Sequence, residues 1–174
     1  MPKLFAFAFL SLFATIITAQ EPTEYRMGPG DEIDIVVYDE PDMSPTVTVS
    51  QQGTIRYPFL GTLNVTGKTV DEVEAMLMSG LKGPYLIDPK IQVSIRKYRP
   101  FFILGEVQLP GSYAYHPGLN VRQALSLAGG MTERGSPRKI FVVSEGAIDD
   151  ESTRVDLDDL VRPGDTITVE QSFF

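Results

Sequence analysis

Three pairs of adjacent acidic residues are the first candidates for chemistry in this sequence: Asp31 with Glu32, Asp39 with Glu40, and Asp158 with Asp159. Two carboxylates that flank a glycosidic bond can act as acid and base in glycoside hydrolysis. Neighbouring residues of a strand point to opposite faces, however, so spacing alone gives none of these pairs a shared site. We therefore expect no catalytic residues and interpret the carboxylates as structural and solubilising.

The single histidine, His116, precedes Pro117-Gly118 in a segment typical of a surface turn. The chain has no cysteine, so neither a zinc site nor a Cys-His or Ser-His nucleophile can be assembled around this residue from nearby sequence. The glycine-rich segment LAGGMTERG follows a predicted helix, whereas a phosphate-binding loop precedes one. The sequence thus predicts no metal, no cofactor and no nucleotide.

Tyrosines are the remaining candidates for ligand contact, because the flat faces of sugars pack against aromatic rings. Five of them are candidate saccharide contacts: Tyr57, Tyr85, Tyr98, Tyr113 and Tyr115. The alternation in Tyr-Ala-Tyr puts Tyr113 and Tyr115 on one strand face, where packing in the core explains them about as well. Both interpretations stay open.

A Pro-Gly-Asp triplet followed by alternating apolar residues occurs twice, near the two ends of the chain. The copies are Pro29, Gly30 and Asp31, and Pro163, Gly164 and Asp165. Proline fixes φ at about −65°, glycine can adopt positive φ, and the aspartate side chain can accept hydrogen bonds from nearby backbone N–H groups. We predict that each triplet is a turn leading into a strand and that the six residues of the two copies are structural.

The pattern between the two turns predicts an α+β fold with two small lobes. In the first lobe, over residues 25–98, strands are expected near 32–38, 46–50 and 54–57, and in the segment PKIQVSIRKY. Between them, Thr69 and Glu72 predict a capping box at the start of a helix that ends near Gly83. This lobe is thus expected to be a mixed sheet with one helix.

The second lobe is predicted over residues 101–170. Two strands flank the turn Leu-Pro-Gly-Ser, and Asn120 caps a helix that ends at Gly129-Gly130. A strand at 139–145 and the strand after Pro163 follow. Strand, strand, helix, strand, strand is the order of a β-grasp domain.

Residues 1–19 predict a secretory signal peptide, with Lys3 before an apolar run and Ala19 before the expected cleavage site. Without Lys3 the chain has 14 basic and 23 acidic residues, a net charge of −9. That balance argues against binding nucleic acid or anionic lipid by charge. The absence of cysteine leaves an exported chain without disulfides and without a lipidated cysteine.

Four motifs carry a family resemblance. GPGD and QQGTIRYPFLG resemble the polysaccharide export domain of bacterial outer-membrane polysaccharide export proteins. LGEVQLPGSY and ALSLAGG are similar to the soluble-ligand-binding β-grasp (SLBB) domain of the same proteins. The resemblance extends from residue 25 to about residue 169, with the motifs in the family's order. It implies an export domain at 25–98 and an SLBB domain at 101–170.

The resemblance implies a non-enzymatic, ring-forming component that moves capsule or exopolysaccharide from the periplasm to the cell surface. Larger members add a C-terminal amphipathic helix that builds an outer-membrane pore and a lipidated cysteine that anchors the ring. This sequence contains neither feature. We therefore expect a periplasmic homo-oligomer that associates with the outer membrane through a separate protein, such as a β-barrel, and with an inner-membrane polysaccharide co-polymerase.

Two other functions stay open. The first is a monomeric periplasmic adaptor or receptor that binds carbohydrate, for which an affinity site without a ring would be required. The second is a glycan-processing enzyme, which ranks last because no catalytic constellation is present. The oligomeric state distinguishes the conduit from the adaptor, and release of sugar from a polymer would identify an enzyme.

Overall fold

A computed structural model describes residues 24–146 and 152–172. The predicted signal peptide lies outside these residues. The elements in chain order are β1 (Glu32–Val37), a 3-10 helix (Pro41–Met43), β2 (Thr46–Thr48), β3 (Thr54–Tyr57), β4 (Gly61–Asn64), α1 (Val70–Leu81), β5 (Ile91–Lys97), β6 (Phe101–Gly105), β7 (Gly111–Tyr113), α2 (Val121–Leu127), β8 (Gly135–Val143), β9 (Thr153–Arg154) and β10 (Thr166–Gln171).

The N-terminal part forms one hydrophobic core between a sheet, a hairpin and a helix. Strands β2, β1 and β5 make a three-stranded antiparallel sheet, and β3 pairs with β4 in a separate hairpin. Ile33 and Ile35 of β1 are buried on the same face and pack in a cluster with Val73 and Leu77 of α1. Buried residues therefore recur at every second position of the strand and at every third or fourth position of the helix, so each element buries one face.

Helix α1 begins at the predicted capping box. The Thr69 side chain accepts the Glu72 N–H at 3.2 Å, and Glu72 Oε2 accepts the Thr69 N–H at 2.8 Å. Such caps satisfy backbone donors that the helix leaves unpaired, and each contributes about 1 kcal/mol. The expected helix is confirmed, and it ends at Leu81, one turn after Leu77.

The C-terminal part is a five-stranded mixed sheet in the order β7-β6-β10-β8-β9, packed on α2. Strand β10 lies in the centre, parallel to β6 and antiparallel to β8. Asn120 and Gln123 form a second capping box, and Val121, Ala124 and Leu125 are the buried face of the helix. The α+β class with two lobes is confirmed, but the mixed sheet expected in the first lobe is wrong, because β1 pairs antiparallel with both β2 and β5. The exact domain boundaries stay a prediction.

Three details of the strands differ from the sequence-based expectation. Strand β4 and the short β9 were not predicted, and β8 begins at Gly135 instead of residue 139. The segment Gly135-Ser-Pro-Arg lacks apolar alternation and contains a proline, so its sequence indicates a turn. It extends in the fold because Gly135 pairs with Gln171 near the end of β10, a contact that only the tertiary structure supplies.

Candidate functional site

The two Pro-Gly-Asp triplets form turns with the same backbone geometry. In each, the aspartate N–H donates at 3.2 Å to the carbonyl three residues earlier, of Gly28 or of Arg162. The central glycines, Gly30 and Gly164, have φ of 91° and 85°, as the third position of a type II turn requires. Each aspartate Oδ2 accepts the N–H of the first turn residue at 2.8 Å. The aspartate side chain therefore hydrogen-bonds to the first residue of its own turn and stabilises that turn.

Asp31 is fully buried and is the centre of a hydrogen-bond cluster with Arg99, the residue that links the two lobes. Asp31 Oδ1 accepts the Arg99 backbone N–H at 2.8 Å, and Asp31 Oδ2 accepts Arg99 Nη1 at 3.1 Å. Tyr25 donates its hydroxyl to Asp31 Oδ2 at 2.5 Å and accepts Arg99 Nη1 at 2.6 Å. Burial and the bond to Asp31 raise the pKa of Tyr25, so its phenol stays protonated.

Arg99 also contacts the second lobe. Its Nε lies 2.5 Å from Glu145 Oε2, as an ion pair that lacks the alignment of a hydrogen bond. Gly164 donates its N–H to Pro100 O at 3.1 Å, and a Cβ on Gly164 would lie 3.0 Å from Arg99 Nε. One arginine side chain thus lies against both turns, and we call Tyr25, Asp31, Arg99, Glu145 and Gly164 the junction cluster.

Two of the candidate tyrosines border the junction cluster. Tyr98 packs edge-on against Tyr25, with ring centroids 4.9 Å apart, and against Tyr115 at 5.4 Å. All three rings are half-buried. Burial raises the pKa of Tyr115 as it does that of Tyr25. The rings of Tyr98 and Tyr115 therefore pack together at the junction of the lobes and are only partly accessible to solvent.

Tyr57 and Tyr113 lie in or against the two cores. Tyr57 is 1% exposed, and its hydroxyl donates to Met43 O at 2.7 Å. Its ring is not accessible to a saccharide in this structure. Tyr113 packs against Phe101 at a centroid distance of 5.9 Å and donates its hydroxyl to the carbonyl of Leu109. Alternation with buried Ile55 is the sequence signal that could have assigned Tyr57 to the core.

Tyr85 is the most exposed of the five candidate tyrosines, and it pairs with a residue that the sequence reasoning missed. Its ring lies 5.3 Å from the ring of Phe59, and its hydroxyl donates to Phe59 O at 3.1 Å. Both rings are about half exposed, at 46% for Tyr85 and 53% for Phe59. The five tyrosines therefore do not form one site: two line the junction, two support the cores, and one belongs to an exposed aromatic pair.

A polar network at the ends of the parallel strands β6 and β10 was also not predicted. Glu106 accepts the Thr132 hydroxyl at 2.6 Å and the Gln171 amide at 2.7 Å, and these bonds lower its pKa. Arg134 donates to Gln171 Oε1 at 3.2 Å. The neighbouring open cleft has a volume of about 360 Å³ and is lined by Gly105, Glu106, Val169, Glu170 and Gln171. Because the network is satisfied internally, its evident role is to hold the three segments together.

Within residues 24–146 and 152–172, no three His, Cys, Asp or Glu side chains are grouped so as to hold a metal ion. None of the helices described there is both long enough and apolar enough to cross a membrane.

Two family models match the chain consecutively. Residues 19–96 match the model described as polysaccharide biosynthesis/export protein, and residues 100–156 match the SLBB domain. Arg99 of the junction cluster therefore lies between the two matched segments. The order of the models is the order of the two lobes.

Curated proteins show the same relationship. The chain is 36% identical over 122 residues to the exopolysaccharide production protein ExoF of Rhizobium meliloti, covering 62% of this chain and 28% of ExoF. It is 30% identical over 151 residues to the EPS I polysaccharide export outer membrane protein EpsA of Ralstonia nicotianae, covering 71% and 39%. The polysialic acid transport protein KpsD of Escherichia coli is 27% identical over 122 residues, covering 68% and 22%.

The matched segments thus span well under half the length of these relatives. The names of the relatives concern production, export or transport of polysaccharides. With both family models matched in order over most of its length, the chain belongs to the polysaccharide biosynthesis/export protein family.

Proposed function

We propose that this protein is a non-enzymatic component of a polysaccharide export apparatus and that it acts in the periplasm as part of an oligomeric conduit. The observation that carries the proposal is the export domain followed directly by the SLBB domain. The relatives whose names state polysaccharide export or transport match across both segments and support the same function.

The junction cluster supports a role as an assembly subunit. Closed rings repeat one interface around an axis, so every subunit must present its two contact surfaces in a fixed relative orientation. The buried contacts of Arg99 with Asp31 and its ion pair with Glu145 restrain the lobes in this way. Contact between the export lobe of one copy and the β-grasp lobe of the next is the interface that we propose.

The positions of the paired acids support a function without catalysis. Asp31 closes its turn inside the junction cluster, while its neighbour Glu32 lies 3.5 Å from Arg96 on the outer face of the sheet. Asp158 pairs with Arg122 at 2.9 Å on the surface. These carboxylates contact arginines and backbone groups in different places, so they do not flank a common substrate position.

The remaining expectations stay predictions: a separate outer-membrane partner, an inner-membrane co-polymerase, and association with the outer membrane through partners. The monomeric carbohydrate-binding adaptor is the second candidate function, because the exposed pair of Phe59 and Tyr85 could contact a saccharide without assembly of an oligomeric ring. The oligomeric state separates the two candidates.

The test is the mass of residues 20–174, measured by light scattering on a size-exclusion column over a wide concentration range. The measurement is made with and without membrane extract from a polysaccharide-producing host. The conduit predicts a discrete multiple of the monomer mass. A strict monomer under every condition favours the adaptor, and release of sugar on incubation with the polymer would contradict the non-enzymatic role.

A further inference from the structure

The turn between β3 and β4 holds a residue in an unfavourable backbone conformation. Phe59 has φ of 67°, in the left-handed region, where a side chain is crowded by its own backbone. It lies in the segment Pro58-Phe59-Leu60, which connects Tyr57 to its strand partner Gly61. A glycine or asparagine would adopt this conformation more easily. The presence of phenylalanine therefore calls for a reason other than the turn itself.

Two contacts hold Phe59 in this conformation. Leu60, the next residue, lies against Gly80 of α1, where an added Cβ would be 2.7 Å from Leu60 Cδ1. Glycine within a helix is less stable than alanine. The close approach of Leu60 explains why position 80 has a glycine, since a Cβ there would crowd the Leu60 side chain. On the other side of the turn, the Tyr85 hydroxyl donates to the Phe59 carbonyl at 3.1 Å.

These contacts direct the Phe59 ring away from the core. It is 53% exposed, beside the Tyr85 ring at 5.3 Å and with an angle of 54° between the ring planes. The pair thus forms a half-exposed aromatic surface of two rings tilted against each other. Stability of the core favours an unstrained backbone and a buried aromatic ring, whereas Phe59 has a strained backbone and an exposed ring. Such strain is typical of binding sites.

We infer that Phe59 and Tyr85 form a stacking platform for the pyranose rings of the polysaccharide, an inference that rests on the proposed function. The apolar C–H face of a pyranose matches one aromatic ring, and the tilted second ring can border its edge. Exposed Arg56 and Thr62, which are cross-strand partners on the same hairpin, supply polar groups for sugar hydroxyls. The platform binds weakly because it contributes only two aromatic rings. Weak binding suits a polymer that must be released again during transport.

A protein partner is the other occupant that such rings could contact. A stable protein interface buries on the order of 1,200 Å² or more in total, with a core of several anchors. Ile87 is the large exposed apolar side chain that lies near Phe59 and Tyr85 in the chain, whereas Leu60 and Leu86 pack against the core. This small, two-ring surface matches a sugar unit better than a protein interface.

The test is an NMR titration of the mature protein with oligosaccharides prepared by mild acid hydrolysis of the polymer that the host secretes. We expect shifts in the amide signals of residues 57, 59–62 and 85–87. Phe59→Leu keeps an apolar side chain at the same strained position and should weaken binding about fivefold. Phe59→Tyr should bind within about twofold of the wild type.

The matched control is Phe102→Leu, because Phe102 is also an exposed phenylalanine, at 41%, but lies on β6 in the other lobe. It should leave the affinity unchanged. Tyr85→Leu serves as the second platform variant if Phe59→Leu does not fold, as judged by its melting curve. Unchanged binding by a folded platform variant, or an equal loss in Phe102→Leu, would overturn the inference.

The light-scattering mass of the same samples separates this inference from the proposed function. A discrete oligomer without oligosaccharide binding overturns the platform and leaves the conduit standing. Binding that depends on Phe59 in a strict monomer supports the platform and favours the adaptor over the conduit.

Discussion

The two Pro-Gly-Asp turns share a backbone but differ in what surrounds the aspartate. Asp31 accepts four hydrogen bonds, from Gly28, from Tyr25 and twice from Arg99. Asp165 accepts the Arg162 N–H on Oδ2, while its Oδ1 has no partner with hydrogen-bond geometry within residues 24–146 and 152–172, although the Ser144 side chain interacts with this carboxylate. Both aspartate side chains are buried. The motif thus determines the turn, and the segment that packs against the turn determines what the carboxylate does.

The difference is also electrostatic. Burial raises the pKa of Asp165. Its interactions with the Arg162 N–H and the Ser144 side chain, and the charges of Arg162 and the more distant Arg99, oppose that shift only in part. Asp31 instead has the guanidinium of Arg99 at 3.1 Å. We conclude that the carboxylate of the first turn anchors the lobe junction, whereas the carboxylate of the second mainly shapes its own turn at the start of β10.

The largest effect is expected for Asp31→Asn. Asparagine has no charge to pair with the buried Arg99 guanidinium. Its NH2 group is a hydrogen-bond donor and would face the donor groups of Arg99 or Tyr25, which need an acceptor. Breaking a buried ion pair by removing one partner costs about 3–5 kcal/mol. Urea unfolding of the mature protein gives the free energy, and Asp165→Asn is the matched control. Equal losses in the two variants would show that the turns are equivalent.

Arg99→Met should have the next largest effect. The substitution keeps much of the aliphatic packing and leaves Asp31 its bonds from the backbone N–H groups of Gly28 and residue 99. It removes the charged donors to Asp31 and Tyr25, at a cost of about 2–3 kcal/mol. It also removes the ion pair with Glu145, so the lobes should become less restrained. Small-angle X-ray scattering should then show a broader distribution of distances. An unchanged profile would mean that backbone contacts alone fix the lobes.

Alanine at the two turn glycines gives a smaller, matched difference. Both substitutions place a side chain at positive φ, which costs about 1–2 kcal/mol. At Gly30 the added Cβ would meet Arg99 Cβ at an ordinary 3.5 Å, whereas at Gly164 it would lie 2.9 Å from Glu145 Cβ and 3.0 Å from Arg99 Nε. We expect Gly164→Ala to lose about 1 kcal/mol more than Gly30→Ala, because Glu145 must move. Thermal denaturation of the two variants side by side measures this difference.

Asp165→Asn should have the smallest effect at neutral pH, within about 1 kcal/mol of the wild type. Because the folded-state pKa of Asp165 is raised, the folded protein binds this proton more tightly than the unfolded chain does. Its contribution to stability is therefore full below the unfolded pKa and is lost as pH rises through the folded pKa. The variant should lack this loss, so it should gain stability relative to wild type between acidic and neutral pH. Unfolding free energies at several pH values would test this, and parallel curves would contradict it.

Local features were predictable from the sequence. The capping box of Thr69 and Glu72, the period of α1 and both Pro-Gly-Asp turns depend on residues within a few positions of one another. The junction cluster was not predictable in this way, because Arg99 meets Asp31 across 68 residues. The sequence places Arg99 between the two predicted lobes, 25–98 and 101–170, but does not indicate what its side chain contacts.

The aromatic residues show the same division. Alternation could assign Tyr57 to the core but could not show that Tyr85 lies beside Phe59, 26 positions away. Positive φ at Phe59 was equally hidden, because no rule for turn residues favours phenylalanine in that conformation. Family motifs compensated for part of this gap, since they predicted the export and SLBB segments that the family models match.

The most direct test of the proposed function is deletion of the gene in its host, followed by measurement of the polysaccharide at the cell surface and in the periplasm. An export component predicts that surface polymer falls, that polymer of normal composition accumulates inside the cell envelope, and that the intact gene restores export. Normal amounts of surface polymer in the deletion strain would contradict a role in export.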